Sequence, residues 1–124
     1  MAAVAVGKSD AKQEDDNARR ARIRALNDSF RKTFRGGKVM LTAGVAALAG
    51  AVQNAAFAKI KAFDAFDEEH DPWGEHDFVS VEHEGQTFFA KIDYFDLNLQ
   101  WHSEDAADAS KTCRVMTIML ADEY

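Results

Sequence analysis

From Thr112 to Leu120 the chain reads TCRVMTIML, a run that is β-branched or apolar at nearly every position. A strand with apolar residues on both faces is stable only between other strands and under a covering layer. The run therefore demands a sheet with itself in the interior, and the rest of the sequence must supply its neighbours and its cover. Two segments upstream suit the first need. DFVSVEHE and QTFFAKIDYF are rich in β-branched and aromatic residues and meet across Glu84-Gly85-Gln86, which predicts a hairpin. Its buried face is expected to hold Phe78, Val79, Val81, Phe88, Ile92 and Tyr94. Lys38 to Thr42, KVMLT, adds a short strand.

The cover must come from segments with a helical period. Ile23, Leu26, Phe30 and Phe34 recur at three- and four-residue spacing behind Asp16-Asn17, a plausible N-cap. This predicts a helix over about 17–35, ended by Gly36-Gly37, with Arg20, Arg24, Arg31 and Arg35 mostly off its apolar stripe. Val45, Leu48, Val52, Ala56, Ile60 and Phe63 repeat the period, but Gly44 and Gly50 weaken the first half. A one-turn helix followed by a longer one at about 51–66 is expected. Residues 1–16 have no apolar period and are expected to form a flexible tail, with a single domain over 17–124. The expected class is α+β: two main helices packed on a small, mostly antiparallel sheet in the order α-β-α-β-β-β.

Charge narrows the function. The net charge of −6 is unevenly spread: residues 1–38 hold ten Lys/Arg against five Asp/Glu, and residues 39–124 hold five against sixteen. An acidic body repels nucleic acid, whose binding depends on Lys and Arg neutralising phosphates. It suits a basic partner or a bound cation. Arg19, Arg20, Arg22, Arg24, Arg31, Lys32 and Arg35 form the one basic surface, read as a solvated face or as a partner for the acidic body. Cys113 is the only cysteine, so no internal disulfide can form and a reducing cytoplasm is expected. Met1 to Gly7 is apolar but too short for a signal-peptide core, and no run approaches the roughly 20 apolar residues of a membrane span.

The stretch EHDPWGEHDF, Glu69 to Phe78, concentrates the candidate chemistry. On one reading it is a scaffold: Asp71 accepts backbone N–H bonds as Asp before Pro commonly does, while His76 and Asp77 fix the turn to the sheet beside Asp93. On the other, Asp71, Glu75, His76 and Asp77 are metal ligands, or His76, Asp77 and Asp93 are catalytic acid and base. The spacing matches no defined metal motif. In KIDYFD, Lys91 and Asp93 share a strand face and are expected to pair, while Asp96 opens the long polar loop DLNLQWHSEDAADASK. Trp73, Phe95 and Trp101 are expected in loops beside acids, as protein-binding surfaces often show. Asp71, Trp73, Glu75, Asp96, Trp101, Glu104 and Asp105 are the candidate binding residues. Cys113 reads as a buried, inert thiol.

Several segments taken in order, LNDSFRKTF, GGKVMLTAGVAAL, AFDAFDEEHDPWGEHDF, FFAKIDYFD, SEDAAD and RVMTIMLADEY, resemble the bacterial domain-of-unknown-function family 3768 over about residues 26–124. At Glu69-His70 the sequence departs from the family, where an Asn stands before the Asp-Pro, so His76 ranks above His70. The resemblance implies no activity. It implies a setting on plasmids and other mobile elements, among genes that help the element persist.

Three functions follow as expectations. The first is a small acidic binding protein without catalysis or cofactor, engaging a basic, nucleic-acid-handling host protein or complex, in its sharpest form an inhibitor of restriction or CRISPR-type defence. The second is a small metal-dependent hydrolase built on the DPWGEHD cluster. The third is an accessory that dimerises.

Overall fold

The computed structural model describes the backbone of residues 2–124 and side chains from residue 13 onward. In chain order its elements are α1 (Ala2–Thr33), β1 (Gly37–Leu41), α2 (Ala43–Ala46), α3 (Gly50–Ala62), β2 (Phe78–His83), β3 (Gln86–Phe95) and β4 (Cys113–Leu120). Where a flexible tail is expected, over residues 1–16, the backbone belongs to α1 from Ala2 onward, and the side chains of residues 1–12 lie outside the described ones. The class is α+β. The apolar run at 112–120 is β4, and it lies inside the sheet, whose order is β1-β4-β3-β2. β4 pairs parallel with β1 and antiparallel with β3, and β2 with β3 form the hairpin across Glu84-Gly85. The sheet is thus mixed. β1 precedes two helices rather than a hairpin, and that crossover allows it to run parallel to β4.

The helices cover one face. Val79 and Val81 of β2, Phe88, Ala90 and Ile92 of β3, and Met116 and Ile118 of β4 meet Phe30 of α1, Val45 of α2, and Ala56 and Ile60 of α3. Each large side chain so buried contributes about 1.5–3 kcal/mol relative to exposure. Phe78, expected on this face, turns instead to the other one, where its ring packs near Phe89 and Tyr124 at 5.1 and 5.9 Å between centroids. Tyr94 is half-buried and takes up a polar role described below.

Three helix ends differ from expectation. α1 begins at Ala2 rather than near residue 17, so Asp16-Asn17 lie inside the helix and do not cap it; Ala, Lys, Gln and Glu upstream are strong helix formers that need no apolar stripe. α1 stops at Thr33 because Phe34, not a glycine, adopts the left-handed conformation, with φ 58°, while its N–H still reaches the Phe30 carbonyl at 2.7 Å. A bulky residue there is strained. Its ring is held against Phe57 at 5.6 Å, with the Lys61 ammonium 4.5 Å from its centroid. α3 ends at Ala62, earlier than expected, because Phe63 is extended at φ −63°, ψ 131°. The glycine that cannot be replaced is Gly37: a Cβ there would meet the Arg114 carbonyl and, at 2.8 Å, the Phe30 ring. That close approach lets β1 lie beside β4 under α1.

The α1 stripe is also more polar than its spacing suggested. Ile23, Asn27 and Phe30 are buried and Leu26 is only half-buried. Arg31, read from the sequence as part of a basic surface, is 2% exposed. No helix among the described residues is long and apolar enough to cross a membrane.

Candidate functional site

The acidic turn before β2 is held from within. The Asp71 N–H donates to the Asp67 carbonyl at 2.8 Å and Gly74 N–H to the Asp71 carbonyl at 3.0 Å, with Gly74 at φ 66°. The Asp71 carboxylate, 8% exposed, accepts the backbone N–H groups of Glu75 and His76 at 3.2 and 3.3 Å. This is the capping role that Asp before Pro suggested.

His76 does not tie the turn to the sheet beside Asp93. It ties it to α1. Its Nδ1 lies 2.8 Å from Asp28 Oδ1 and its Nε2 3.6 Å from Asp71 Oδ2. Its ring stacks on Phe66 at 3.7 Å and 4°. The backbone of His76 is left-handed, with φ 56°. Such strain persists only where surrounding contacts over-determine it, and here two carboxylates and a ring do so. Asp28 also accepts Arg31 Nη1 at 2.9 Å. Arg31 Nη2 reaches the Phe63 carbonyl at 3.3 Å, and the guanidinium lies 5.0 Å over Phe66. Its Nε is buried with no hydrogen-bond partner among the described residues. Burial alone would push the Asp28 carboxyl up, but the hydrogen bonds and charges of His76 and Arg31 outweigh it and hold the group below its ordinary value.

A second network lies deeper. Asn27, fully buried, donates through Nδ2 to the Glu75 carbonyl at 2.9 Å and to the Tyr94 hydroxyl at 2.8 Å. Its Oδ1 accepts Arg114 Nε at 2.7 Å. Arg114, 3% exposed, also donates to the Ala106 carbonyl at 2.6 Å and lies 5.1 Å over the Tyr94 ring. The Tyr94 hydroxyl donates to Glu75 Oε1 at 2.8 Å. Burial pushes the Tyr94 hydroxyl well above its ordinary value, and the Glu75 carboxylate adds to that. Burial pushes Arg114 down, opposed by Tyr94 and Glu75. One network thus fastens α1, the acidic turn, β3, β4 and the loop after β3.

Among the described residues, the carboxylates paired with His76 are Asp28 and Asp71, not Asp77 or Asp93. The Asp77 carbonyl accepts Ile92 N–H at 2.8 Å, which starts the hairpin ladder. Its side-chain carboxyl is raised by burial first, then by Glu75, Asp71 and Asp93 nearby. Asp93 pairs with Lys91 at 3.5 Å, as the shared strand face suggested. Among the described residues, no group of three or more His, Cys, Asp or Glu is placed to hold a metal ion.

The other candidates divide between support and surface. Asp96 accepts the backbone N–H groups of Asn98 and Gln100, both at 3.1 Å. Asp105 meets Arg19 at 3.2 Å and Glu104 meets Lys111 at 3.5 Å. Glu75 is engaged by Tyr94. Trp73 and Trp101 are 63% and 74% exposed, whereas Phe95, expected in a loop, is the last residue of β3, half-buried opposite Cys113. β2 begins, β3 ends and β4 begins at one end of the sheet, so the turn bearing Trp73 and the loop bearing Trp101 both emerge there. Between α1 and the turn runs a cleft of about 360 Å³ whose walls include Arg20, Arg24, Glu68 and Trp73, with the Arg20 guanidinium 5.0 Å from the Trp73 ring. Arg24 Nη1 reaches the Gly74 carbonyl at 3.0 Å. Much of the basic face of α1 therefore docks on the acidic body of its own chain. Cys113, expected to be buried, is a free thiol and only half-buried, because it opens β4 at the end of the sheet.

Sequence reasoning passed over Asn27, Asp28 and Arg114. Asn27 carried a signal: it falls four residues after Ile23 and three before Phe30, inside the apolar stripe, where a polar residue needs partners.

No curated protein and no solved structure matches the chain. The family model described as protein of unknown function (DUF3768) matches residues 41–123, from the last residue of β1 almost to the terminus, and the chain belongs to that family.

Proposed function

We propose that this chain is a small acidic binding protein that acts by protein–protein contact on a basic, nucleic-acid-handling host protein or complex. The observation that carries the reading is the pair of exposed tryptophans, Trp73 and Trp101, on acid-bearing loops at one end of the sheet. Exposed aromatics rimmed by charge are the composition of binding hot spots. The chemistry a catalyst would need is engaged in the fold instead: both ring nitrogens of His76 face carboxylates, and Asp71 caps the turn. The setting implied by the family resemblance, mobile elements and the genes that sustain them, makes a restriction or CRISPR-type defence complex the sharpest target. An acidic surface would compete there with phosphate for the same basic groups.

The test is capture from host lysate with wild type and with a Trp73→Ala, Trp101→Ala double variant, followed by a salt series on any complex. The reading expects capture of a basic protein, its loss in the double variant, and weakening as the Debye length shrinks from about 8 Å to about 3 Å at 1 M salt. Capture that is indifferent to both the tryptophans and salt would refute it.

A further inference from the structure

β2 is an edge strand, and part of its outer edge is left open. Ile92 N–H donates to the Asp77 carbonyl, and Phe78 stands opposite Lys91. Hydrogen-bonded positions alternate along an antiparallel pair. Val79 and Val81 therefore direct their N–H and C=O groups at β3, while Phe78, Ser80 and Glu82 direct theirs outward. A separate contact fixes the same phase: the Glu82 carbonyl accepts Lys59 Nζ at 2.6 Å. A lysine from α3 thus closes the edge at Glu82, a device that blunts edge strands. Among the described residues, nothing meets the outward groups of Phe78 and Ser80.

Beside that open stretch lies a groove of about 280 Å³, largely apolar, lined by Phe63, Ala65, Phe66 and Phe78 with His70 and Asp71 at its polar side. The segment that supplies Phe63, Ala65 and Phe66 to it also carries four exposed carboxylates, Asp64, Asp67, Glu68 and Glu69, of which Asp67 holds the His70 ring at 2.8 Å and Glu68 also lines the cleft along α1. The other edge strand, β1, bears Lys38 and no carboxylate. Open backbone groups, an apolar groove and an acidic stretch thus coincide at the start of β2.

We propose that Phe78 to Ser80 receives an extended peptide segment of a partner as an added strand, one that alternates lysine or arginine with apolar residues. Its backbone bonds the N–H and C=O groups of Phe78 and Ser80, an apolar side chain enters the groove, and the positive charge of the segment as a whole complements the acidic stretch from Asp64 to Glu69. Strand addition of this kind draws affinity from the main chain and specificity from alternate side chains. The proposal rests on the reading of the chain as a binding protein of basic partners and adds the site where the backbone is recognised.

The probe is a short fluorescein-labelled peptide of alternating lysine and valine, with a glutamate–valine peptide as charge control. Anisotropy gives affinity, and amide resonances of isotope-labelled wild type locate the contact. Ser80 is exposed and its N–H points outward, a position where an edge strand tolerates proline. Ser80→Ala is expected to bind as wild type does and Ser80→Pro roughly tenfold more weakly or worse. In wild type, the Phe78 and Ser80 amides are expected to shift and to gain protection from exchange. That map decides the matter even if Ser80→Pro fails to fold. Equal binding by a folded Ser80→Pro, equal binding of the glutamate–valine peptide, or shifts centred on Trp73 and Trp101 with β2 untouched would each overturn the proposal. So would a dimer that Ser80→Pro dissolves while the lysine–valine peptide does not bind, which would make the occupant a second copy. Capture of a basic host protein that survives Ser80→Pro but not loss of the tryptophans would remove the edge site and leave the binding reading standing.

Discussion

Replacing Asn27 by Ala tests whether the buried polar network, rather than apolar contact alone, holds α1 to the sheet. The side chain is fully buried and makes three hydrogen bonds, to the Glu75 carbonyl, the Tyr94 hydroxyl and Arg114 Nε. The two neutral bonds contribute about 1 kcal/mol each and the bond to the guanidinium about 1.5–3 kcal/mol. Their loss sums to about 3.5–5 kcal/mol, and Arg114 is left with a buried charge short of one acceptor. A domain of this size is stable by about 5–15 kcal/mol, so the variant should lie near the edge of folding. Urea unfolding should be followed by far-ultraviolet circular dichroism, because both tryptophans are exposed and would report folding poorly. With a denaturant slope of about 2 kcal/mol per molar, the midpoint should fall by about 2 M. Removing the charge instead, by Arg114→Met, leaves the Asn27 and Ala106 oxygens unpaired and takes a nearby cation from Glu75, but strands no buried charge without an acceptor, and is expected to cost less. A loss below about 1 kcal/mol in Asn27→Ala at unchanged slope, or a larger loss in Arg114→Met, would refute the reasoning.

Two carboxylates should move acid stability in opposite directions. Asp28 is held below its ordinary value, so its ion pairs stabilise the fold above the usual carboxylate range, and that contribution is lost as pH falls through the lowered value. Asp28→Asn should therefore lower the melting temperature at pH 7, and the difference from wild type should close in acid. Asp77 is raised, so ionising it in the folded state opposes folding, and its favourable contribution is lost as pH rises through the raised value. Asp77→Asn should raise the melting temperature at pH 7 with no gain at pH 3, and melting curves across that range check both signs. Gly37→Ala should lower stability by about 1–3 kcal/mol or more by forcing β1 from the Arg114 carbonyl and the Phe30 ring, readable in the same melting experiment.

What was legible in the sequence was whatever apolar periodicity encodes. The unbroken run at 112–120 marked an interior strand, alternation around Glu84-Gly85 marked the hairpin, and Gly50 marked the break between α2 and α3. Local chemistry was legible too, in the Asp71 cap and the Lys91–Asp93 pair. Long-range polar pairing was not. Nothing in the spacing of EHDPWGEHDF says that His76 meets Asp28, because that contact joins residues 48 apart through the packing of α1. Arg31 resembled its exposed basic neighbours until Phe66 and Asp28 closed over it. The helix end at Phe34 was equally hidden, since glycine two residues later was the better local candidate and packing against Phe57 overrode it.

These long-range contacts change what the charge asymmetry means. Read along the chain, α1 is a basic arm beside an acidic body. In the fold, Arg31 is buried against Asp28, Arg24 bonds the acidic turn, Arg19 meets Asp105 and the Arg20 guanidinium lies 5.0 Å from the Trp73 ring, which stays exposed. From Arg19 onward the arm is part of the body, and under the proposed function the carboxylates left to solvent from Asp64 to Glu69 set the sign that a partner would meet. The two sets of charges should separate under salt. Exposed carboxylates are screened over a distance that shrinks as salt rises, whereas the Asn27–Arg114 network is buried and screened far less. High salt should therefore release a basic partner while the fold, and α1 within it, stays in place.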